Sequence, residues 1–113
     1  MNPKWTQQEA IALCRLVERY VPLAGCHVAL TGGCLYRDGE RNDCDLIFYR
    51  VRQVKRLNTQ KLMELLQSHV GFDHITGGGW RYTGYYLDKK VDLLFPEAPA
   101  SEADNYPPDE RRT

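Results

Sequence analysis

Two aspartates one residue apart, Asp43 and Asp45, open the run Asp43-Cys44-Asp45-Leu46-Ile47-Phe48-Tyr49, which is otherwise rich in β-formers. In a strand, residues i and i+2 project from the same face. The two carboxylates therefore stand together, while Cys44, Leu46 and Phe48 face the other way into apolar packing. Like charges so placed are costly unless an arginine or a divalent cation lies between them. A third carboxylate, Asp92, sits alone in the apolar segment Val91-Asp92-Leu93-Leu94-Phe95. If the two segments are neighbours in a sheet, three carboxylates converge on one patch. Such a patch suits divalent ions and an in-line displacement at phosphorus. Each cue alone also has an ordinary reading: a solvated strand end for Asp43 and Asp45, an ion pair with Lys90 or Arg81 for Asp92. A calcium-binding helix-loop-helix is excluded, because Ile47 and Tyr49 occupy positions that need ligands.

Upstream, Thr31-Gly32-Gly33 follows the short apolar run Cys26 to Leu30, which reads as a buried strand meeting a tight turn. Glycines there let backbone amides approach a phosphate closely; a plain turn is the competing reading. No Gly-Lys-Ser/Thr follows this pair or Gly77-Gly78-Gly79, so neither is a Walker-type loop.

The elements that must position these residues are legible in outline. Thr6 and Glu9 have the form of a capping box. Ala10, Leu13, Cys14, Val17 and Val21 form one apolar stripe, predicting a helix from Gln7 to Tyr20 stopped by Pro22. Cys34 to Asn42 reads as a short helical turn plus loop. A second helix is expected from Thr59 to Val70, with Leu62, Leu65, Leu66, His69 and Val70 on one face and Gly71 as its cap. Phe72 to Thr76 reads as a strand and Gly77-Gly78-Gly79 as a flexible break. Trp80 to Leu87 and Lys90 to Phe95 flank Asp88-Lys89 as a two-residue hairpin. The order predicts an α+β (α/β-like) plan, a mixed sheet of about four to five strands with helices packed on it.

At 113 residues the chain is expected to form one domain over residues 1–96. The acidic and proline-rich tail, residues 97–113, is expected to be mobile or loosely docked. Fifteen basic residues balance fifteen acidic ones, so any attraction to nucleic acid must be local; Arg50, Arg52, Lys55 and Arg56 read either as a contact to an RNA or DNA acceptor or as a solvated loop after a strand. No apolar run reaches the length of a membrane span, and no signal peptide pattern opens the chain, so a cytoplasmic protein is expected. Cys14, Cys26, Cys34 and Cys44 form no CxxC pair and are expected to be free thiols. His27, His69 and His74 show no zinc-ligand spacing relative to them.

Leu30-Thr31-Gly32-Gly33, nine further residues, then Asp43-Cys44-Asp45-Leu46 resembles the signature of the polymerase-beta-like nucleotidyltransferase superfamily. Val91-Asp92-Leu93 resembles its third acidic position. Gly33-Cys34-Leu35-Tyr36-Arg37 through Arg41-Asn42-Asp43 is similar to abortive-infection toxin-type nucleotidyltransferases, and the chain's size is closer to the minimal enzymes of toxin–antitoxin pairs. The resemblance covers roughly residues 26 to 95. It implies the nucleotidyltransferase fold and transfer of a nucleoside monophosphate from an NTP, ATP among the candidates, to RNA, a protein hydroxyl or a small molecule. It also implies that Asp43, Asp45 and Asp92 bind Mg²⁺ (or Mn²⁺) in a two-metal mechanism releasing pyrophosphate. Gly32 and Gly33 would contact the triphosphate through backbone amides; Arg37 and Arg41, in the spacer, read either as further phosphate contacts or as surface residues. Gly33 stands where many relatives carry serine. Larger relatives hold the base or acceptor with a second domain; here a protein partner, a homo-oligomer mate or the substrate itself would supply that surface. The alternative is a partner-binding module on the same minimal fold, antitoxin-like or regulatory, with little activity.

Overall fold

A computed structural model describes residues 3–37 and 39–97; most of the tail expected to be mobile, from residue 98 onward, lies outside the described residues. Helix α1 spans Gln7–Glu18 and opens with the anticipated capping box: Thr6 Oγ1 accepts from Glu9 N, and the Glu9 carboxylate accepts from Thr6 N. The helix stops at Glu18, short of the expected Tyr20. Pro22, which has no N–H to continue an α-helix, instead sits in a separate 3₁₀ turn, Val21–Ala24, closed by Gly25 at φ 82°.

Strand β1 spans Cys26–Thr31, the short helix α2 spans Gly33–Tyr36, and β2 spans Asp43–Arg50. The second helix divides into α3, Thr59–Leu65, and a wider π turn, Leu66–Val70, ended by Gly71 at φ 101°. Asn58 caps α3 through its side-chain oxygen, 3.0 Å from Lys61 N.

Strands β3 (Asp73–Gly78), β4 (Arg81–Tyr86) and β5 (Lys89–Leu94) complete the sheet. Two glycines expected to break the chain, Gly77 and Gly78, instead carry β3 forward, and the turn falls at Gly79 and Trp80. The β4–β5 turn is also displaced by one residue. Tyr86 pairs with Lys89, so Leu87 and Asp88 form the loop. Both have positive φ (51° and 67°), the geometry of a two-residue turn matched to strand twist.

The five strands lie in the order β1-β2-β5-β4-β3. All neighbours are antiparallel except β2 and β5, which are parallel and joined by a long crossover through α3, β3 and β4. This is the mixed-sheet α+β architecture the sequence predicts. Cys44, Leu46, Phe48, Val91, Leu93 and Phe95 are buried with Leu13, Val17, Leu62 and Leu66 in one core. Strand alternation therefore places the helices on one face; among the described residues no helix covers the other, which carries Asp43, Asp45, Ile47 and Tyr49. Trp5, fully buried, ties the N-terminal segment to the sheet: its indole N–H donates to Lys90 O at 2.6 Å, and its backbone pairs with Arg41.

Candidate metal centre

Asp43 and Asp45 lie on the uncovered face of β2, as the period-2 reading requires. The parallel β2–β5 register sets Asp45 opposite Asp92 and Asp43 opposite Lys90. One carboxylate oxygen from each of Asp43, Asp45 and Asp92 lies within 4.8 Å of the others. The convergence that the sequence made conditional on strand adjacency is thus realised.

Asp92 is the most enclosed of the three, 4% exposed. Its Oδ1 accepts from Thr83 Oγ1 at 3.1 Å, across the β4–β5 pair, and Arg81 reaches Oδ2 at 3.5 Å. Lys90 lies 3.7 Å from Asp43 on the other flank. Both cations weighed as ordinary partners are therefore present, but divided: Arg81 takes Asp92 and Lys90 takes Asp43. They do not neutralise the centre. Asp45 between them is pushed up to about 6, first by burial and then by the charges of Asp92 and Asp43, with Arg81 opposing weakly.

An all-oxygen donor set carrying up to three negative charges suits a hard divalent cation such as Mg²⁺ or Mn²⁺, and lacks the nitrogen and sulfur ligands zinc prefers. The raised affinity of Asp45 for a proton is the cost a bound cation would remove. The four cysteines take no part. All are free, and Cys34, Cys26 and Cys44 are buried. Burial pushes the Cys26 thiol up to about 12 and the Cys44 thiol higher still, leaving both inert at neutral pH.

Gly32, at φ 73°, turns the chain from β1 into α2 beside the carboxylates. A Cβ at this position would fall on Asp45 Oδ2 and lie 3.0 Å from its Cγ, so only glycine leaves room for the acid. A Cβ on Gly33 would instead meet the Arg41 side chain at 3.0 Å. Arg41 thus lies against the glycine turn, whereas Arg37 is exposed at the end of α2. Sequence reasoning missed Thr83, whose role follows from β4–β5 register and has no local signal.

Two crystal structures of Leishmania infantum polymerase beta, in ternary primer–template and gap complexes, superpose with a TM-score of 0.67 over 83% of this chain at 18% identity. The chain shares its fold with this part of polymerase beta. A cytoplasmic RNA terminal U-transferase is similar to this chain with a TM-score of 0.50 over 88% of it at 16% identity. The chain spans 43% and 38% of the two polymerase chains and 29% of the U-transferase. No protein-family model matches the sequence, and no curated protein matches it. Among the described residues, no helix is long and apolar enough to cross a membrane.

Proposed function

We propose that this chain is a nucleotidyltransferase, moving a nucleoside monophosphate from an NTP to an acceptor hydroxyl with release of pyrophosphate. The observation that carries the reading is the approach of Asp43, Asp45 and Asp92 within 4.8 Å on the open face of a nucleotidyltransferase fold. A divalent cation held by these three acids would supply charge neutralisation at the phosphates and polarise the phosphorus–oxygen bonds. The remaining chemistry belongs to the chain.

Asp43 and Asp45 hold the triphosphate end of the site. Gly32 keeps the backbone close to it without crowding Asp45, and Arg41, packed against Gly33, lies on the same rim. Asp92 stands on the acceptor side, where its carboxylate favours departure of the hydroxyl proton. Thr83 and Arg81 fix its orientation. Arg81, half exposed, is the cation best placed to meet charge developing on the phosphate.

The test is calorimetric titration of each NTP, with and without Mg²⁺, into wild type and Asp43→Ala/Asp45→Ala. The reading requires binding that needs both metal and carboxylates. Binding to none of the four NTPs by the folded wild type would sink it and turn attention to a partner-binding role.

A further inference from the structure

Three tyrosines, Tyr82, Tyr85 and Tyr86, stand on β4, and strand alternation separates them. Tyr82 turns to the helix side, its ring edge-on to Phe95 at 5.4 Å, and Tyr86 lies 5.8 Å from the ring of Phe72. Both pack against the core. Tyr85 projects from the opposite face and is 37% exposed. Among the described residues, its side chain has no hydrogen bond or ring contact.

That face is the one the acids occupy. The β4–β5 register sets Thr83 opposite Asp92 and Tyr85 opposite Lys90, and the β2–β5 register sets Lys90 beside Asp43. Tyr85 and Asp92 are therefore diagonal neighbours on adjacent strands, a separation of about 7–8 Å. Lys90 lies 3.7 Å from Asp43, and Arg81, half exposed, reaches Asp92 from the other side of Thr83. The Asp92 side of the centre is thus a shelf with an exposed ring, a cation on each flank and carboxylates along its inner edge. The basic run from Arg50 to Arg56 takes no part in it: it begins where β2 ends, remote from Asp43, and Val51 N donates to Gly25 O at 2.9 Å.

We infer that Tyr85 stacks the terminal base of an oligonucleotide whose 3′-hydroxyl is the acceptor. The acceptor assignment rests on the transferase reading; the stacking site does not. A base on Tyr85 carries its sugar toward Asp92, the group that favours departure of the hydroxyl proton. Transfer would join that oxygen to the α-phosphorus of the NTP, release pyrophosphate with the bonding pair and pass the proton toward Asp92. Arg81 and Lys90 suit the phosphate preceding that sugar, and oppose a polycationic acceptor such as an amino sugar. A peptide acceptor finds little to pair with. Beyond Tyr85, the outer strand β3 is a poor template, with a register shift between Asp73 and Thr76 and His74 at φ 54°.

Fluorescence anisotropy of 5′-labelled oligo-A in Mg²⁺ tests this on the full chain, beside the same oligonucleotide with an abasic 3′ end. Tyr85→Ala should weaken intact oligo-A about fivefold or more. Tyr85→Phe, which keeps the ring, should bind as wild type does. Removing the terminal base should cost wild type a similar factor and Tyr85→Ala almost nothing further, as expected of two groups in contact. Tyr49→Ala removes an exposed tyrosine from the same face at the far end of β2, and should bind as wild type does. The abasic comparison needs no variant, so it decides even if Tyr85→Ala does not fold.

Absence of oligo-A binding, indifference of wild type to the terminal base, or equal losses in Tyr85→Ala and Tyr85→Phe would overturn the inference. So would a Tyr85→Ala defect confined to NTP titration, which would assign the ring to the NTP. If no NTP binds while ring-dependent oligo-A binding persists, the transferase reading falls and the stacking site stands.

Discussion

Asp45 and Asp92 face one another across the parallel β2–β5 pair, brought together from segments far apart in the chain. The charge of Asp92 raises the cost of ionising Asp45, and the flanking Arg81 and Lys90 each reach only one edge of the cluster. The acids therefore behave as a unit whose energetics depend on what occupies the space between them.

Without metal, this has a defined pH signature. Asp45 holds its proton more tightly folded, at about 6, than its ordinary 3.8. Its favourable contribution is complete below the unfolded value and is lost as pH rises through about 6. Asp45→Asn, which mimics the protonated acid, should match wild type near pH 4 and exceed it at pH 7 by ~1 kcal/mol, after allowance for partial exposure. Thermal melts in chelator across this range check it; a pH-independent difference would contradict it.

Metal should reverse the penalty. At pH 7, Mg²⁺ at about 100 times its dissociation constant should stabilise wild type by about 2.7 kcal/mol. Asp43→Asn/Asp45→Asn should show little of that gain. Differential scanning calorimetry with and without the ion distinguishes the two proteins.

The glycine turn should be intolerant at one position and forgiving at the next. Gly32→Ala places a methyl group on the Asp45 carboxylate and strains a positive φ, and should cost about 1–3 kcal/mol together with Mg²⁺ affinity. Gly33→Ala meets only the flexible Arg41 side chain and should cost less. Chemical denaturation paired with Mg²⁺ titration separates the effects, and equal losses would count against the geometry.

Thr83 should matter through its hydroxyl. Thr83→Val keeps the shape but strips the enclosed Asp92 of its donor, at about 1–3 kcal/mol. Thr83→Ser should restore most of the stability and the Mg²⁺ affinity. If valine and serine behave alike in urea unfolding and calorimetry, the hydrogen bond does not orient Asp92.

Much of this protein was written locally. Thr6 and Glu9 declare the start of α1, because a capping box is a contact between near neighbours. The alternation in Asp43 to Phe48 sorts carboxylates from core, because strand geometry has a period of two. Boundaries set by turn energetics were less legible. Leu87 and Asp88 take the hairpin turn because cross-strand pairing holds Lys89 opposite Tyr86, and Gly77 and Gly78 stay in β3 because β4 pairs with them.

The order of residues specifies the chemistry available: which acids share a strand face, which glycines precede them, and which side chains must be buried. Where that chemistry assembles is set by long-range packing. The parallel β2–β5 pairing, made through a long crossover, delivers Asp92 to Asp45, while Thr83 and Arg81 arrive by register across β4. The same packing carries the basic loop to the opposite end of β2. Local propensity cannot report such placements, because each depends on the loop-closure cost of distant pairing and the burial that repays it.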